Sequence, residues 1–147
     1  MTTEETESLL KEAKIARFCS LNKDGTIHAV PVWYKYENGQ IITATPIASR
    51  KARNVKRNKN VTVLIDISEG GVRPRCVILY GKAEMDYDNM FPAVVSALER
   101  YMPKDKTEGY ARGLFKLTKW VKITVKPERM ASFDYNKDQA YQNAVGE

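Results

Sequence analysis

The chain has 147 residues, 43% of them hydrophobic and 29% charged, with a net charge of +6 from 24 basic and 18 acidic residues. That composition excludes a disordered polymer and suits one domain, residues 1–147, with a real core. No apolar run approaches the length of a membrane span, so no membrane partner is expected. Cys19 and Cys76 are solitary, without a CxxC pair. A disulfide framework is therefore not expected, and a reducing compartment is favoured. The acidic N-terminus, Glu4, Glu5 and Glu7 among threonines, lacks the charged and apolar segments of a signal peptide. The expected location is the cytoplasm.

Thr2 with Glu5 fits a capping box, and the pattern predicts a first helix to about Lys14 with Leu9, Leu10 and Ala13 facing inward. Ile15 to Leu21 reads as a strand. Asn22-Lys23-Asp24-Gly25 reads as a hairpin turn. Ile27 to Glu37 then reads as one long strand, rich in β-branched and aromatic residues. Pro31 inside it cannot donate to a ladder, which predicts an edge or a bulge. Asn38-Gly39 is the clearer hairpin signal. It folds Trp33 to Tyr36 back on Gln40 to Thr43, so Pro31, Val32 and Trp33 are expected near Thr43 and Thr45 across the ladder.

The next stretch, Thr43 to Asn58, carries the strongest chemical signal. It reads as a strand end, a loop at Pro46 and a helix capped by Ser49. Ala48, Ala52 and Val55 make a small apolar face at helical spacing. Asn58 and Asn60 suit its end. Arg50 and Lys51 place two cations in the first turn, where the helix dipole is already positive and prefers acids. An anion resolves that conflict: free amides, a capping hydroxyl and two cations converge as they do on a phosphate. Six positives, Arg50, Lys51, Arg53, Lys56, Arg57 and Lys59, fall within ten residues without an acid. Such a run also suits a solvated helix face or nucleic acid. The stacking aromatics of a nucleic-acid site are missing from it, so nucleic acid is not the expected partner.

Val61 to Ile67 reads as a strand, Ser68 to Pro74 as a loop, and Arg75 to Asp86 as a further strand with Gly81 at a bulge or close approach. Asp88 to Met102 has helical spacing, with the stripe Val94, Leu98 and Met102 read as core or dimer contact and Pro103 ending the helix. Thr107 to Lys116 reads as a short helix or loop. Leu117 to Lys126 reads as a strand, Met130 to Phe133 as the last one, and residues 135–147 as a polar, loose tail. Five to seven strands joined mainly by hairpins, with few helices, predict a mainly β (α+β) fold, an antiparallel barrel or sandwich. His28, the single histidine, reads as a partly exposed strand residue, and no spacing suggests a metal site.

Taken in order, Asp24 to Tyr34, Asn38-Gly39, Thr45, Ser49 to Val55 and Tyr80 to Glu84 resemble the pyridoxamine 5′-phosphate oxidase-like family, over roughly Ile15 to Phe133. The resemblance implies an antiparallel split β-barrel, a homodimer, and FMN at the dimer seam. It implies that the strand Ala29 to Tyr34, with Val30, Pro31, Val32 and Trp33, lies along the isoalloxazine. Thr43, Ala44 and Thr45 match positions touching the ring or the ribityl chain. Ser49, Arg50 and Lys51 match the phosphate-holding residues, and Asn54 an assisting position. Arg75 matches the start of a strand that approaches the flavin, often from the partner chain. True pyridoxamine phosphate oxidases carry a C-terminal Arg-Leu-His-type substrate motif. With His28 the only histidine, that motif cannot exist here, and oxidation of a vitamin B6 phosphate is not expected. The leading expectation is an FMN-dependent oxidoreductase acting on a small molecule. A deazaflavin-dependent reductase on the same fold, and a flavin or haem binder without turnover, are the alternatives. The sequence singles out no catalytic residue.

Overall fold

The computed structural model describes residues 1–146. Along the chain lie α1 (Thr3–Glu12), β1 (Ala16–Leu21), β2 (Ile27–Val32), β3 (Lys35–Glu37), β4 (Gln40–Pro46) and α2 (Arg50–Arg57). They are followed by β5 (Asn60–Glu69), β6 (Val72–Asp86), α3 (Met90–Leu98), α4 (Lys104–Leu117), β7 (Trp120–Asp134), a 3-10 turn (Tyr135–Lys137) and α5 (Gln139–Val145). Seven antiparallel strands form one sheet in the order β2-β1-β5-β6-β7-β4-β3. The edge strands β2 and β3 are joined through Trp33 and Tyr34 alone. Two residues cannot span an open sheet, so its edges approach each other and the sheet curls into a split barrel. Phe18, Val63, Ile65, Leu79 and Ile123 fill it, and Leu9 and Leu10 of α1 pack against them. Burying each such side chain contributes about 1.5–3 kcal/mol. A second, smaller core joins α3 to α4 through Val94, Leu98 and Ala111, and rests on the sheet at Ala44 and Trp120.

Local signals predict local structure well. The Thr2–Glu5 capping box forms, with Thr2 N–H donating to Glu5 at 2.8 Å and Glu5 N–H to Thr2 at 3.1 Å. Asn38 and Gly39 take φ of 52° and 72°, the left-handed pair that a two-residue hairpin requires. Pro31 lies on edge strand β2. Gly81 sits at a register shift against β7, where an added Cβ would lie 2.1 Å from the carbonyl oxygen of Lys126.

Five expectations need correction. The strand foreseen from Ile27 to Glu37 breaks at Trp33 and Tyr34, because Tyr34 finds its partners outside the sheet. Its N–H donates to the Tyr101 hydroxyl at 2.8 Å, and its carbonyl accepts from Arg100 and from Tyr101. The loop foreseen from Ser68 to Pro74 is a tight hairpin at Gly70 and Gly71, both at positive φ. The segment Thr107 to Lys116 belongs to a full helix, α4; Gly109 and Gly113 weaken its sequence signal. The two strands read at the C-terminal side are one 15-residue strand, β7, since Pro127 falls at the bulge opposite Gly81 and needs no ladder bond there. Ala48 is exposed, leaving Ala52 and Val55 as the buried face of α2. In the C-terminal segment, Tyr135 stacks on Tyr141 with ring centroids 5.0 Å apart, and Lys137 pairs with Glu5.

Candidate functional site

Strand β4 runs directly into the start of α2. Ser49 is the N-cap, and its hydroxyl oxygen accepts from the Ala52 N–H at 3.2 Å and from the Thr45 hydroxyl at 3.0 Å. With both acceptor sites used, the Ser49 proton remains for an outside acceptor. The N–H groups of Arg50 and Lys51 lie in the first turn, where no intrahelical acceptor exists. No acid occupies that turn. Arg50 is exposed and Lys51 half-buried. Among the described residues neither makes an ion pair. Burial lowers the pKa of Lys51 below its ordinary value, because the ammonium loses water and gains no carboxylate. Free amides, a capping hydroxyl and two cations without an ion pair among the described residues thus share the helix start, with Arg50 acting on Asp24 only at longer range.

That helix start borders a cleft of about 360 Å³. One wall is Pro31, Val32 and Trp33 at the break between β2 and β3; the floor is Thr43 to Pro46 of β4. Thr43, buried, donates to the Trp33 carbonyl at 2.7 Å and so ties the wall to the floor. This side-chain bond replaces the ladder expected there, since the β3–β4 pairing ends at Lys35 and Ile42. Among the described residues Lys51 is the one charged side chain that lines the cleft. Of the twelve residues singled out in the sequence as cofactor contacts, Pro31, Val32, Trp33, Thr43, Ala44, Thr45 and Lys51 line it. Ser49 and Arg50 directly precede Lys51 in the chain, as N-cap and first residue of α2, and do not line the cleft. Val30 packs toward the barrel core instead. Asn54 is buried against β1, donating to Ser20 at 3.1 Å and Asn22 at 3.0 Å and accepting from Arg57 at 3.0 Å. Arg75 stands away from this cleft, 3.5 Å from Glu12 of the same chain.

The opposite wall of the cleft was not legible in the sequence. Val94 and Leu98 of α3, Tyr101, Tyr110 and Leu114 of α4, and Trp120 of β7 complete it. The stripe Val94 and Leu98, read as core or dimer contact, therefore does two things: it makes the second core and it walls the cleft. Trp33 stacks on Tyr101 with ring centroids 4.5 Å apart and planes 8° from parallel. His28 lies on β2 outside the cleft. Among the described residues no cluster of histidine, cysteine and carboxylate side chains could hold a metal ion.

A family model described as pyridoxamine 5′-phosphate oxidase matches residues 2–126, which takes in both walls and the start of α2. The chain belongs to the pyridoxamine 5′-phosphate oxidase family. Solved structures agree on the fold. A conserved hypothetical protein from Mycobacterium tuberculosis is similar with a TM-score of 0.82 and 24% identity, over 93% of this chain and 87% of that one. An F420 reductase has a TM-score of 0.66 and 20% identity, over 85% of this chain and 94% of that one. The haem storage protein HutZ from Vibrio cholerae has a TM-score of 0.70 and 16% identity, over 90% and 93%. No curated protein sequence matches the chain. Neighbours of one fold are thus named for different ligands, and the ligand of this chain must be argued from its own residues.

Proposed function

We propose that this protein is a cytoplasmic FMN-binding oxidoreductase acting on a small molecule, with the FMN phosphate at the start of α2 and the ring system in the adjoining cleft. The observation that carries this reading is Lys51, a half-buried cation without a carboxylate beside a helix start that also carries Arg50. A dianionic phosphate neutralises both charges and accepts from the unpaired amides and from Ser49. Val94, Leu98 and Trp120 keep water from the ring end, and Thr43 holds Trp33 in place beside it. A bound flavin supplies hydride or electron transfer, and the protein's part is to bind, orient and shield it. A deazaflavin phosphate would use the same cations, and the F420 reductase neighbour supports that second reading. Haem finds less support, because the single histidine lies outside the cleft. The visible spectrum of the purified protein, with the mass of the released ligand, tests the proposal. The expected result is an oxidised flavin spectrum and the mass of FMN; a Soret band or the mass of a deazaflavin overturns it.

The same reading includes a homodimer. Val63, Ile65, Val77 and Leu79 face the core, so the alternating Leu64 and Ile78 face outward, in register with Ala131 of β7. All three are at least partly exposed, and Phe133 on the same strand is 38% exposed. An apolar sheet face of that kind suits a second copy, and an isologous two-fold contact is the commonest way to cover it. Arg75 of each chain would then approach the cofactor of the other. Sedimentation at micromolar concentration should give a dimer; a monomer with full flavin occupancy refutes it. Mixing an Arg50→Ala/Lys51→Ala chain with an Arg75→Ala chain should restore one intact site per heterodimer, and failure in a proven dimer refutes the shared site.

A further inference from the structure

Tyr101 and Trp33 line the cleft together, with ring centroids 4.5 Å apart and planes 8° from parallel. Two cations stand against this pair from outside the lining. Lys14 Nζ lies 5.8 Å from the Tyr101 ring centroid, and the guanidinium carbon of Arg100 lies 5.4 Å from it. Neither side chain lines the cleft. Both are held by neutral acceptors. Lys14 donates to the Arg100 carbonyl at 3.0 Å, and Arg100 donates to three carbonyls and to the Tyr101 hydroxyl. Among the described residues neither makes an ion pair. Bonds to neutral oxygens orient a cation without cancelling its charge. The aromatic wall of the cleft is therefore backed by two positive charges that no paired carboxylate offsets. Lys14 is exposed, so water screens part of its field; Arg100 is half-buried and is screened less.

We infer that Lys14 and Arg100, acting across the Tyr101–Trp33 stack, raise the reduction potential of the bound flavin. This deepens the flavin reading and rests on it, since that reading sets the ring system beside Trp33. Two-electron reduction with uptake of one proton gives the flavin ring a net negative charge, where the oxidised ring has none. The cofactor phosphate carries the same charge in both states, so its binding cancels from the difference. Cations behind the stack act on the added charge alone. They make the reduced form bind more tightly than the oxidised one, and that differential affinity is a raised potential. Lys14 is the separable half of the pair. Arg100 fastens the fold through several bonds, whereas the Lys14 side chain is exposed and makes one.

Anaerobic redox titration of FMN-saturated protein against a reference dye tests this, with wild type beside Lys14→Met and Lys14→Arg. The affinity for oxidised FMN is measured in parallel. Lys14→Met should lower the affinity for reduced FMN, relative to oxidised FMN, by about two- to fivefold, the range of an exposed charge interaction. For a two-electron couple that is a fall in potential of roughly 10–20 mV. Oxidised FMN should bind as it does to wild type. Lys14→Arg should keep the wild-type potential, and salt at about 1 M should shrink the difference between wild type and Lys14→Met. An unchanged potential in Lys14→Met with FMN bound overturns the tuning role and leaves the flavin reading standing. A fall that Lys14→Arg shares, or that high salt leaves in full, marks a packing effect and overturns the tuning role as well. If wild-type protein does not bind FMN, the flavin reading fails and the tuning role falls with it.

Discussion

Two cationic regions of this protein make opposite use of charge. At the start of α2, the Arg50 and Lys51 side chains have, among the described residues, no carboxylate within ion-pair distance and no hydrogen bond, Arg50 reaching Asp24 only through space. Between α3 and α4, Arg100 is fully engaged at both terminal nitrogens. Its guanidinium donates to the carbonyls of Lys11 at 2.9 Å, Ala13 at 2.8 Å and Tyr34, and to the Tyr101 hydroxyl at 3.2 Å. It also lies over the Tyr34 ring, 4.6 Å from the centroid. Arg100 thereby caps the C-terminal carbonyls of α1 and fastens the helical pair to the junction of β2 and β3. A cation whose two terminal nitrogens are each spent on two acceptors inside the chain holds the fold. A cation left unpaired beside a cleft holds something else.

The largest effect expected from breaking this contrast is at the fully engaged site. Arg100→Ala removes every one of those bonds, leaving the Tyr34 carbonyl with the Tyr101 hydroxyl alone and the Ala13 carbonyl with the Tyr34 hydroxyl alone. A loss of about 3 kcal/mol of unfolding free energy is expected in urea titration, from charged hydrogen bonds of ~1.5–3 kcal/mol each with partial compensation. Arg100→Lys should recover only part, because an ammonium cannot reproduce the planar fork. A loss below 0.5 kcal/mol, within the range of ordinary surface changes, would erase the distinction between the two regions.

The Tyr34 hydroxyl shares that junction, 2.6 Å from the Leu10 carbonyl and 2.9 Å from that of Ala13. Burial pushes its pKa from 10.0 up to about 12. The raised folded value means that this contribution to stability is full below pH 10, where Tyr34 is neutral in both states. It is lost as pH rises toward 12, where the unfolded chain ionises first. Denaturation midpoints should fall across that alkaline window, and Tyr34→Phe should flatten the fall while lowering stability at neutral pH.

Lys51 should behave in the reverse sense. Its folded pKa lies below 10.5, so the charged side chain destabilises the ligand-free fold at neutral pH. That cost is relieved as pH rises through the alkaline range up to 10.5. Lys51→Met should therefore raise ligand-free stability at neutral pH, with the gain shrinking toward pH 10.5. The same change should weaken FMN. Equal stability of the two proteins in the absence of ligand would show that Lys51 carries no strain for an anion to relieve.

The smallest effect belongs to the exposed remainder of the basic run. Lys56 and Lys59 lie beyond the first turn of α2, outside the reach of the dipole. Reversing both to Glu should leave flavin affinity within about twofold. Arg57 is excluded from this pair because it donates to the Leu21 carbonyl at 2.7 Å and to Asn54. Here the structure divides a run that looks uniform in sequence into internal and free cations.

That division marks what sequence can carry. The Ser49 cap, the acid-free first turn and the Asn38-Gly39 hairpin each depend on residues within one element or one turn, and Gly81 marks its own close approach by lacking a side chain inside a strand. All of them were readable. The break at Trp33 and Tyr34 was not, because the groups that cause it, Arg100 and Tyr101, lie more than sixty residues away. For the same reason one wall of the cleft was legible and the other was not. Tyr101 and Tyr110 carry no local signal of their own, and only the packing of α3 and α4 on Ala44 brings them to β4, while Trp120 arrives on β7 opposite Pro46 of β4. An aromatic excess in residues 101–120, following an apolar helical stripe, was the one available hint.

The central claim is that the unpaired cations at the start of α2 exist to hold a cofactor phosphate. Titration of FMN into the Arg50→Ala/Lys51→Ala variant, followed by quenching of flavin fluorescence, tests it most directly. Each charge-assisted bond is worth about 1.5–3 kcal/mol, reduced for the exposed Arg50, so an affinity loss of about tenfold to a thousandfold is expected. Unchanged FMN affinity in a folded double variant would contradict the claim.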